Sequence, residues 1–542
     1  MLRRPVRPLL FLPLLLGCWT AAFAVPFFPH DTRRTVDISD ATLPDDDLKD
    51  EMKQVYSARD QKQALDFDDP NSKLSPGYVI DLLERTLADN GLVKDGYPLD
   101  QIHQLQASTD ENERARLDVL VTDALLHLAR DLHGDNYDLK ADYLGWNFQR
   151  ADADIPEMLS AALSHASLDE FLGGLIPRNP AYAKLAAALK TYESIRDKGG
   201  WGEVGGGPTL LPKAHDKRVT QLRERLLAEG YDAGESTHPR YYDQNLERAV
   251  TLYQAHNGLK PDGHIGTNTL EALNMPVARR IEQIKANMER WRQMPEYYPT
   301  DRYAAVNIAD ASIRIYEYEH EIYKGLVVVG KVDRKTPFIE SEIRTMIVNP
   351  SWHVPLKIAR KDILPKLKEN PHYLEKLGFV ISGNDDDPHG NKIDWKAMSE
   401  EEFDVKLKQL PGEQNSLGHL KFDFDNPFAV YMHGTPHQEL FGKAQRNFSS
   451  GCVRLQEPDK VGEILLRSTS GEWSVEKIQA AVDNKKTRWI TIKDPMPIYI
   501  LYWTVFADDA TGAINFRNDV YDYDRILEPN YEPPQDDGTT GP

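Results

Sequence analysis

Two residues in the C-terminal half of the chain have the side chains needed for nucleophilic acyl transfer. They are His433 and Cys452, nineteen positions apart in the segment YMHGTPHQELFGKAQRNFSSGCVRL. A thiolate attacks carbonyl carbon readily, but a free thiol near neutral pH is mostly protonated. A neighbouring imidazole can take that proton and later return it to a leaving amine. Spacing alone is a weak indication, because many proteins contain such a pair.

The residues next to Cys452 could supply the other parts of acyl transfer. Gly451 allows the backbone to approach a substrate closely. The backbone N–H groups of Gly451 and Cys452 are candidates for stabilising a tetrahedral oxyanion. Arg454 is a permanent cation suited to binding a carboxylate, although a structural salt bridge explains it equally well. We find no His-x-x-Glu-His or similar ligand cluster, so we expect no metal ion and no other cofactor.

The composition is typical of a soluble chain with several domains. The chain has 542 residues and a formal net charge of −20, with 40% hydrophobic and 28% charged residues. At about 150 residues per domain, three or four domains are expected. The acidic balance argues against nucleic acid as a partner, because a nucleic-acid-binding surface needs a basic patch.

The N-terminus has the pattern of an export signal. Three arginines in the first seven residues precede an apolar run at 9–16, and Ala22-Phe23-Ala24 fits a signal-peptidase site. A cleaved signal over residues 1–24 is the preferred interpretation. An uncharged stretch at 9–28 is also long enough for an inner-membrane anchor, and Leu15-Leu16-Gly17-Cys18 resembles a lipoprotein box. Cleavage would leave Cys452 as the single cysteine, either a reactive thiol or an inert buried one.

Four further segments are assigned by composition and periodicity. Residues 25–75 are polar and rich in Asp, and we interpret them as an acidic tether. Residues 76–208 have helical periodicity and end in a glycine-rich break. An apolar stripe predicts a connecting helix over 277–298, and the proline-rich residues 528–542 are interpreted as a tail.

Residues 217–276 form a compact unit with three helical patterns. Leu246, Ala249, Val250 and Tyr253 repeat at helical spacing, and Asp262-Gly263 is a turn signal before the last helix. The sequence AV–YQ–GL–DGHIG–T–ALN between 249 and 274 resembles the small three-helix peptidoglycan-binding domain. A generic three-helix bundle is the alternative.

Alternation with period two begins near residue 300 and predicts a β-rich domain over 299–527. Strands are expected at 303–308, 313–318, 323–330, 344–348, 428–433, 489–492, 496–505 and 513–516. Residues 358–415 are polar, acidic and partly helical, and we interpret them as an insertion over the sheet. Long insertions of this kind are often lids or binding loops, although a solubilising flap is the alternative.

Motifs in this domain resemble the active-site signature of the L,D-transpeptidases, which have a YkuD-type catalytic domain. They are YMHGTP at 431–436 and SSGCVR at 449–454, and NPSWHVP at 349–355 is similar to a segment of the large Gram-negative members. Those members place a helical scaffold and a peptidoglycan-binding domain before the catalytic domain, which carries a capping insertion. This order matches residues 76–527. Many members have His directly before Gly-Cys, whereas this chain has Ser450.

The resemblance implies a role for each residue of the motifs. Cys452 would be the nucleophile, His433 its base, and the backbone carbonyl of Gly434 would orient the imidazole. Trp352 would form a wall of the substrate site, although a core position suits it equally. The residues implied to line the oxyanion or substrate region are Tyr431, Ser450, Gly451, Arg454 and Trp352.

The resemblance also implies the fold class, the activity and the partners. The fold class is a multidomain chain with a mostly-β catalytic domain, a helical capping insertion, an all-α scaffold and a three-helix peptidoglycan-binding domain. The activity would be cross-linking of peptidoglycan tetrapeptide stems in the periplasm, with release of the terminal D-alanine. A hydrolase with the same nucleophile and a non-catalytic wall-binding protein are the alternatives. Other cell-wall enzymes would be candidate partners.

Overall fold

The structure is a computed structural model that describes residues 33–36, 48–295 and 302–527, except 136, 149, 319, 470, 472, 509 and 510. The sequence interpretations of residues 1–24, 9–28 and 528–542 therefore lie outside the described residues. Among the residues that are described, no helix is both long enough and apolar enough to cross a membrane.

In the described part of the N-terminal region, eight α-helices form the structure. Its longest helix begins at Asp110, whose side chain accepts hydrogen bonds from the amides of Asn112 and Glu113, and ends at Gly134 with φ +92°. The helices are α1 (Lys49–Ser57), α2 (Pro76–Asp89), α3 (Leu99–Leu105), α4 (Glu111–His133), α5 (Leu139–Asp142), α6 (Ile155–His165), α7 (Leu168–Leu175) and α8 (Pro180–Asp197).

The interpretation of residues 25–75 as a solvated tether is wrong for residues 48–75. Met52, Val55 and Tyr56 of α1 are completely buried in the core that also contains α2, α4 and α6. The buried carboxylate of Asp118 fixes this segment, since it accepts hydrogen bonds from the Tyr56 hydroxyl at 2.7 Å and from the amide of Leu65 at 2.7 Å. The apolar residues have helical spacing, but the acidic runs around them conceal it.

The three-helix unit after residue 210 has its own core. Gln254, at 1% exposure, accepts a hydrogen bond from the Gly263 amide and donates to the His264 carbonyl, which holds the turn before the last helix. Gly263 adopts φ +71°, a conformation that glycine accommodates without strain. The helices are α9 (Arg218–Ala228), α10 (Gln244–His256) and α11 (Thr267–Leu273).

The predicted connecting helix is α12 (Val277–Arg292), and it does not stand alone. Its stripe of Ile281, Ile284 and Met288 packs against Tyr182 and Leu185 of α8. Helix α8 therefore shares a core with α12 and not with the other N-terminal helices.

The C-terminal region is a closed sheet with two helices and an inserted subdomain, and the predicted mostly-β fold class is confirmed. The strands are β1 (Arg302–Asn307), β2 (Ser312–Glu317), β3 (His320–Gly330), β4 (Ile339–Val348), β5 (Trp352–His353), β6 (Phe379–Ile381), β7 (Leu407–Gln409), β8 (Leu420–Phe424), β9 (Met432–His433), β10 (Asn447–Ser449), β11 (Val453–Leu455), β12 (Arg488–Leu501), β13 (Val505–Ala507) and β14 (Ile514–Phe516). The helices are α13 (Leu356–Ile358), a π-helix (Ala359–Ile363), α14 (Leu364–Glu369), α15 (Tyr373–Lys376), α16 (Pro458–Leu465) and α17 (Val475–Asp483).

The large sheet has the strand order β10-β3-β11-β9-β8-β4-β12-β1-β2, and β2 also pairs with β3. This extra pairing closes the strands from β3 to β2 into a ring, and β10 lies outside the ring, against β3. Strands β13 and β14 form a separate hairpin. Strand β9 lies between β11 and β8, so the residues of β9 have ladder partners on both sides.

Three strand predictions need correction. The strand expected at 428–433 is reduced to Met432–His433, because the Asn426 side chain bonds the backbone of Phe428 and Val430 in a turn. Strand β8 was not predicted. The strands expected at 489–492 and 496–505 are one strand, β12, with an irregular register between Thr491 and Met496, and Val505 belongs to the hairpin.

The insertion expected at 358–415 is a folded subdomain with an apolar core. Strands β5, β7 and β6 form its own small sheet, so it begins near Trp352 and is not simply polar and helical. Leu367, Leu374, Trp395 and Phe403 are each 1% exposed or less. The apolar residues that form this core are widely spaced along the sequence, which hides them from periodicity analysis.

Candidate active site

Parallel pairing of β9 and β11 brings the residues of the two motifs together. Met432 lies opposite Val453, and His433 lies opposite Arg454. Met432 and Val453 are completely buried in the core of the sheet. Because side chains alternate along a strand, Tyr431, His433, Cys452 and Arg454 lie on the other face.

The loop that carries Cys452 is fixed by hydrogen bonds of its own. The Ser449 hydroxyl donates to the Cys452 carbonyl at 2.5 Å and accepts from the Gly451 amide at 3.1 Å. The Thr336 hydroxyl donates to the Gly451 carbonyl at 2.8 Å, and Gly451 adopts φ +112°. A side chain at position 451 would strain this conformation.

This loop geometry corrects one expectation from the sequence. The Gly451 N–H was a candidate donor to a tetrahedral oxyanion, but it is already bonded to the Ser449 hydroxyl. Gly451 therefore shapes the loop, and its amide is not available to a substrate in this conformation.

His433 is buried and held in one orientation. Its Nδ1 lies 2.5 Å from the Gly434 carbonyl oxygen, and a carbonyl can only accept, so Nδ1 carries the proton in the neutral ring. Nε2 is then the basic nitrogen. Burial, with repulsion from Arg454 and Lys421, lowers the pKa of His433 to about 3. The imidazole is therefore neutral at physiological pH.

Cys452 is also neutral at rest. Burial raises the pKa of its thiol, and hydrogen bonding to Tyr431 and the positive charges of Lys421 and Arg454 offset this effect only in part. Burial, together with the neighbouring Cys452, raises the pKa of the Tyr431 hydroxyl well above its usual range. The resting pair is thus a thiol and a neutral imidazole, not a thiolate–imidazolium ion pair.

Among the described residues Arg454 forms no salt bridge, although the Glu439 carboxylate acts on its guanidinium through space. Its Nε is buried without a hydrogen-bond partner. Lys421 lies opposite His433 on β8, and its Nζ lies 4.1 Å from the centroid of the Tyr431 ring and 2.8 Å from Asp423. A cation left unpaired beside a nucleophile is suited to a carboxylate of the substrate.

Three segments of the chain match profiles of known protein families. Residues 301–475 match the family profile described as "L,D-transpeptidase catalytic domain". The chain carries an L,D-transpeptidase catalytic domain. Residues 43–189 match the profile "Scaffold domain", and residues 215–273 match "Putative peptidoglycan binding domain". The resemblance found in the sequence is confirmed.

Similar individual proteins carry the same description. A Haemophilus influenzae protein described as "Putative L,D-transpeptidase" is 30% identical over 277 residues, which cover 50% of this chain and 54% of that protein. The match thus spans about half the length of the relative. The crystal structure of an L,D-transpeptidase from Xylanimonas cellulosilytica aligns with 55% of this chain and 100% of its own, at 13% identity and a TM-score of 0.17. One from Stackebrandtia nassauensis aligns with 54% of this chain and 97% of its own, at 11% identity and a TM-score of 0.22.

Residues that the motifs do not contain complete the site of the L,D-transpeptidase domain. Arg334 donates a hydrogen bond to Ser450 Oγ at 2.9 Å. Its two terminal nitrogens also donate to the two carboxylate oxygens of Asp362, at 2.5 and 2.8 Å. Asp362 belongs to the π-helix of the insertion, and Arg334 holds the pKa of this carboxyl below its usual range. Arg334 therefore joins the insertion to the loop that carries the cysteine.

Sequence reasoning missed Arg334, Asp362 and Lys421. No local pattern distinguishes them, because strand register and the folding of the insertion bring them to the site. Among the described residues, no group of three or more His, Cys, Asp or Glu side chains is arranged to hold a metal ion.

Replacing Arg334 by lysine should lower the turnover of the L,D-transpeptidase domain by about tenfold, with little effect on stability. A lysine keeps the charge but cannot hold both Asp362 oxygens and Ser450 at once. The measurement is kcat together with the rate at which iodoacetamide alkylates Cys452. Arg344→Lys is the matched control, because Arg344 pairs with Glu342 on the exposed side of β4. If both rates match the wild type, Arg334 does not position the loop.

His433 should make stability depend on pH. The pKa of His433 in the folded chain is about 3, below the usual 6.5. Between these pH values His433 therefore binds a proton in the unfolded chain but not in the folded chain. The contribution of neutral His433 to the free energy of unfolding is fully present above about pH 6.5, and it is lost as the pH drops towards 3. Between about pH 6 and pH 4, the free energy of unfolding of the wild type should therefore fall by up to about 1.4 kcal/mol per pH unit more than that of His433→Gln. Urea unfolding at several pH values measures it. Parallel pH dependences in wild type and variant would refute the assignment, and His437→Gln, at an exposed site, is the control.

Proposed function

We propose that the protein is a cysteine L,D-transpeptidase that cross-links peptidoglycan stem peptides. The observation that carries the proposal is the shared face of β9 and β11, where a thiol, an oriented neutral imidazole and an unpaired guanidinium lie side by side. The donor would be a tetrapeptide stem and the acceptor the side-chain amine of diaminopimelate on a neighbouring stem.

The first half-reaction forms a thioester. The Cys452 sulfur attacks the carbonyl carbon of the L,D peptide bond while His433 Nε2 takes the thiol proton. The carbonyl oxygen becomes an oxyanion next to the Tyr431 hydroxyl. The intermediate collapses, the C–N bond breaks, and the imidazolium returns its proton to the departing D-alanine amine.

The second half-reaction transfers the acyl group to the acceptor. The acceptor amine attacks the thioester carbonyl, and Nε2 takes a proton from the amine as the C–N bond forms. The C–S bond then breaks and the cysteine sulfur recovers the proton, which restores the thiol and the neutral imidazole. Water in place of the amine would give hydrolysis.

The low pKa of His433 suggests how a substrate would activate the pair. Two cations, Arg454 and Lys421, oppose protonation of the imidazole in the free protein. A substrate carboxylate bound to Arg454 would neutralise part of that charge and raise the pKa of His433. Proton transfer from the thiol would then become easier only when a donor stem is present.

We propose that the insertion caps the Cys452 site and favours amine acceptors over water. The ion pair between Asp362 of the insertion and Arg334 supports this role. Arg334 also bonds Ser450, two residues before the nucleophile, so the contact connects the insertion to the cysteine loop. A cover of this kind excludes water from an acyl-enzyme.

The proposed location is the periplasm, in contact with peptidoglycan. The match of residues 215–273 to a peptidoglycan-binding domain supports it, together with the N-terminal export pattern. A cleaved export signal over residues 1–24 is the form proposed first, with an inner-membrane anchor over residues 9–28 as the alternative, and other cell-wall enzymes are candidate partners.

Incubation of the full chain with purified disaccharide-tetrapeptide, followed by mass analysis, tests the function. Cross-linked dimers with loss of one D-alanine are the expected products. Trimmed tripeptides without dimers would make the protein a carboxypeptidase-type hydrolase. Unchanged substrate with intact binding to peptidoglycan would make it a non-catalytic wall-binding protein. Cys452→Ala is the control for contaminating activities.

A further inference from the structure

A concave site lies at the far end of the strand that follows Cys452. Its cavity has a volume of about 540 Å³, within the usual range for small-ligand sites. One wall is the loop Asn257–Pro261 after α10 of the three-helix domain, and another is the segment Phe441–Asn447 that leads to the cysteine loop. Gln456 and Glu457, directly after β11, close one side. Neither His433 nor Cys452 lines this cavity, so it is separate from the site on the β9–β11 face.

The lining of this cavity is basic, although the whole chain is strongly acidic. Five cations line it, against two carboxylates, those of Asp310 and Glu457. Asp310 is already bound by Arg517 at 2.6 Å, and Glu457 by Lys460 at 2.6 Å. The cations are Lys260, Lys324, Lys443, Arg446 and Arg517.

Three of these cations keep charge available for a ligand. Among the described residues, neither Lys324 nor Lys443 forms a salt bridge, and both are exposed at the rim. Within the part of the chain that the structure describes, Arg446 donates only to backbone carbonyls, including those of Asp310 and Ala311. Its Nε is buried without a partner. A half-buried guanidinium that has only neutral acceptors is incompletely compensated until an anion reaches it.

The two domains approach so closely here that the cavity belongs to both. The Arg517 guanidinium donates to the His256 carbonyl at the end of α10 at 2.8 Å. A β-carbon on Gly258 would lie 2.7 Å from Arg517 Cδ, so the close approach of this loop to Arg517 requires glycine at position 258. A chain held by the three-helix domain would thus meet the catalytic domain at this cavity.

We propose that this cavity binds a carboxylate-bearing stem peptide of peptidoglycan, as a subsite separate from the Cys452 cleft. The inference rests on the proposed function for its choice of substrate. Stem peptides carry free carboxylates, which match the unpaired lysines and Arg446. The segment Phe441–Asn447 joins the cavity to the cysteine loop. A stem bound in the cavity would therefore keep its glycan strand near Cys452 and raise the local concentration of further stems there.

The test measures binding without turnover. The full chain is first treated with iodoacetamide, which alkylates Cys452 and prevents turnover. Isothermal titration with disaccharide-tetrapeptide then measures binding alone, and variants of the cavity separate the subsite from the Cys452 site. We expect Lys324→Glu/Lys443→Glu to weaken this binding by about tenfold or more, since two attractive charges become repulsive. A stem peptide with amidated carboxylates should bind the unsubstituted protein equally weakly.

A matched control separates a local effect from a general one. Lys94→Glu/Lys140→Glu changes the net charge equally at exposed sites in the N-terminal helical region. Equal weakening in this control would overturn the subsite, as would unchanged binding in the cavity variant. Full competition by millimolar inorganic phosphate would also overturn it, by showing a general anion site. Cross-linking by the untreated protein is scored separately, so failure of the proposed function and failure of the subsite give different results.

Discussion

Replacing Cys452 by serine should lower the rate of cross-link formation by about 10³-fold or more, with the fold intact. The serine hydroxyl has far less anionic character near neutral pH than a thiol, and an imidazole whose pKa is about 3 is a weak base for it. Oxygen is smaller than sulfur and suits the same partly buried site. The measurement is dimer formation from disaccharide-tetrapeptide under single-turnover conditions.

The Cys452→Ser result needs a stability measurement beside it. Far-UV circular dichroism and the urea midpoint should match those of the wild type, because the bonds that fix the loop are made by the Ser449 and Thr336 hydroxyls and by backbone groups. Activity within about tenfold of the wild type would exclude Cys452 as the nucleophile. A covalent adduct detected by mass spectrometry in the wild type, and absent from the variant, would locate the acyl group directly.

Replacing His433 by glutamine should lower kcat by about 10² to 10⁴-fold. Glutamine can still donate to the Gly434 carbonyl through its amide, but it has no nitrogen that can accept the thiol proton. The effect should fall on kcat and leave KM nearly unchanged, because Nε2 acts only while the sulfur attacks. His437→Gln is the matched control, since His437 is exposed and pairs with Glu439. Equal losses in both variants would count against His433 as the base.

Local motifs account for what could be predicted about the site. The two halves of the signature are short runs in which chemistry and backbone geometry are encoded together, as in Ser449-Ser450-Gly451-Cys452. The bonds of the Ser449 hydroxyl stay within the loop, although Thr336, Arg334 and the Lys331 amide add bonds from outside it. Such a run can be interpreted without knowing the rest of the fold, whereas Arg334 and Lys421 cannot.

The errors have a common physical origin. Residues 48–75 were interpreted as a tether because acidic runs dominate their composition, yet three side chains at helical spacing are enough to anchor α1 in a core. The insertion was interpreted as polar because its core residues are scattered between charged ones. In both segments burial depends on a few apolar positions, and average composition does not report on these.

The sequence by itself determined the nucleophile candidate, the base candidate, the order of the domains and the three-helix unit, because each depends on residues close together in the chain. Only the tertiary structure decided the electrostatics. The parallel register of β9 and β11 and the position of Lys421 on β8 surround His433 with cations, and the folded insertion brings Asp362 to Arg334. Charges interact through space and burial weakens solvent screening, so pKa values and unpaired cations follow from distances that no sequence pattern encodes.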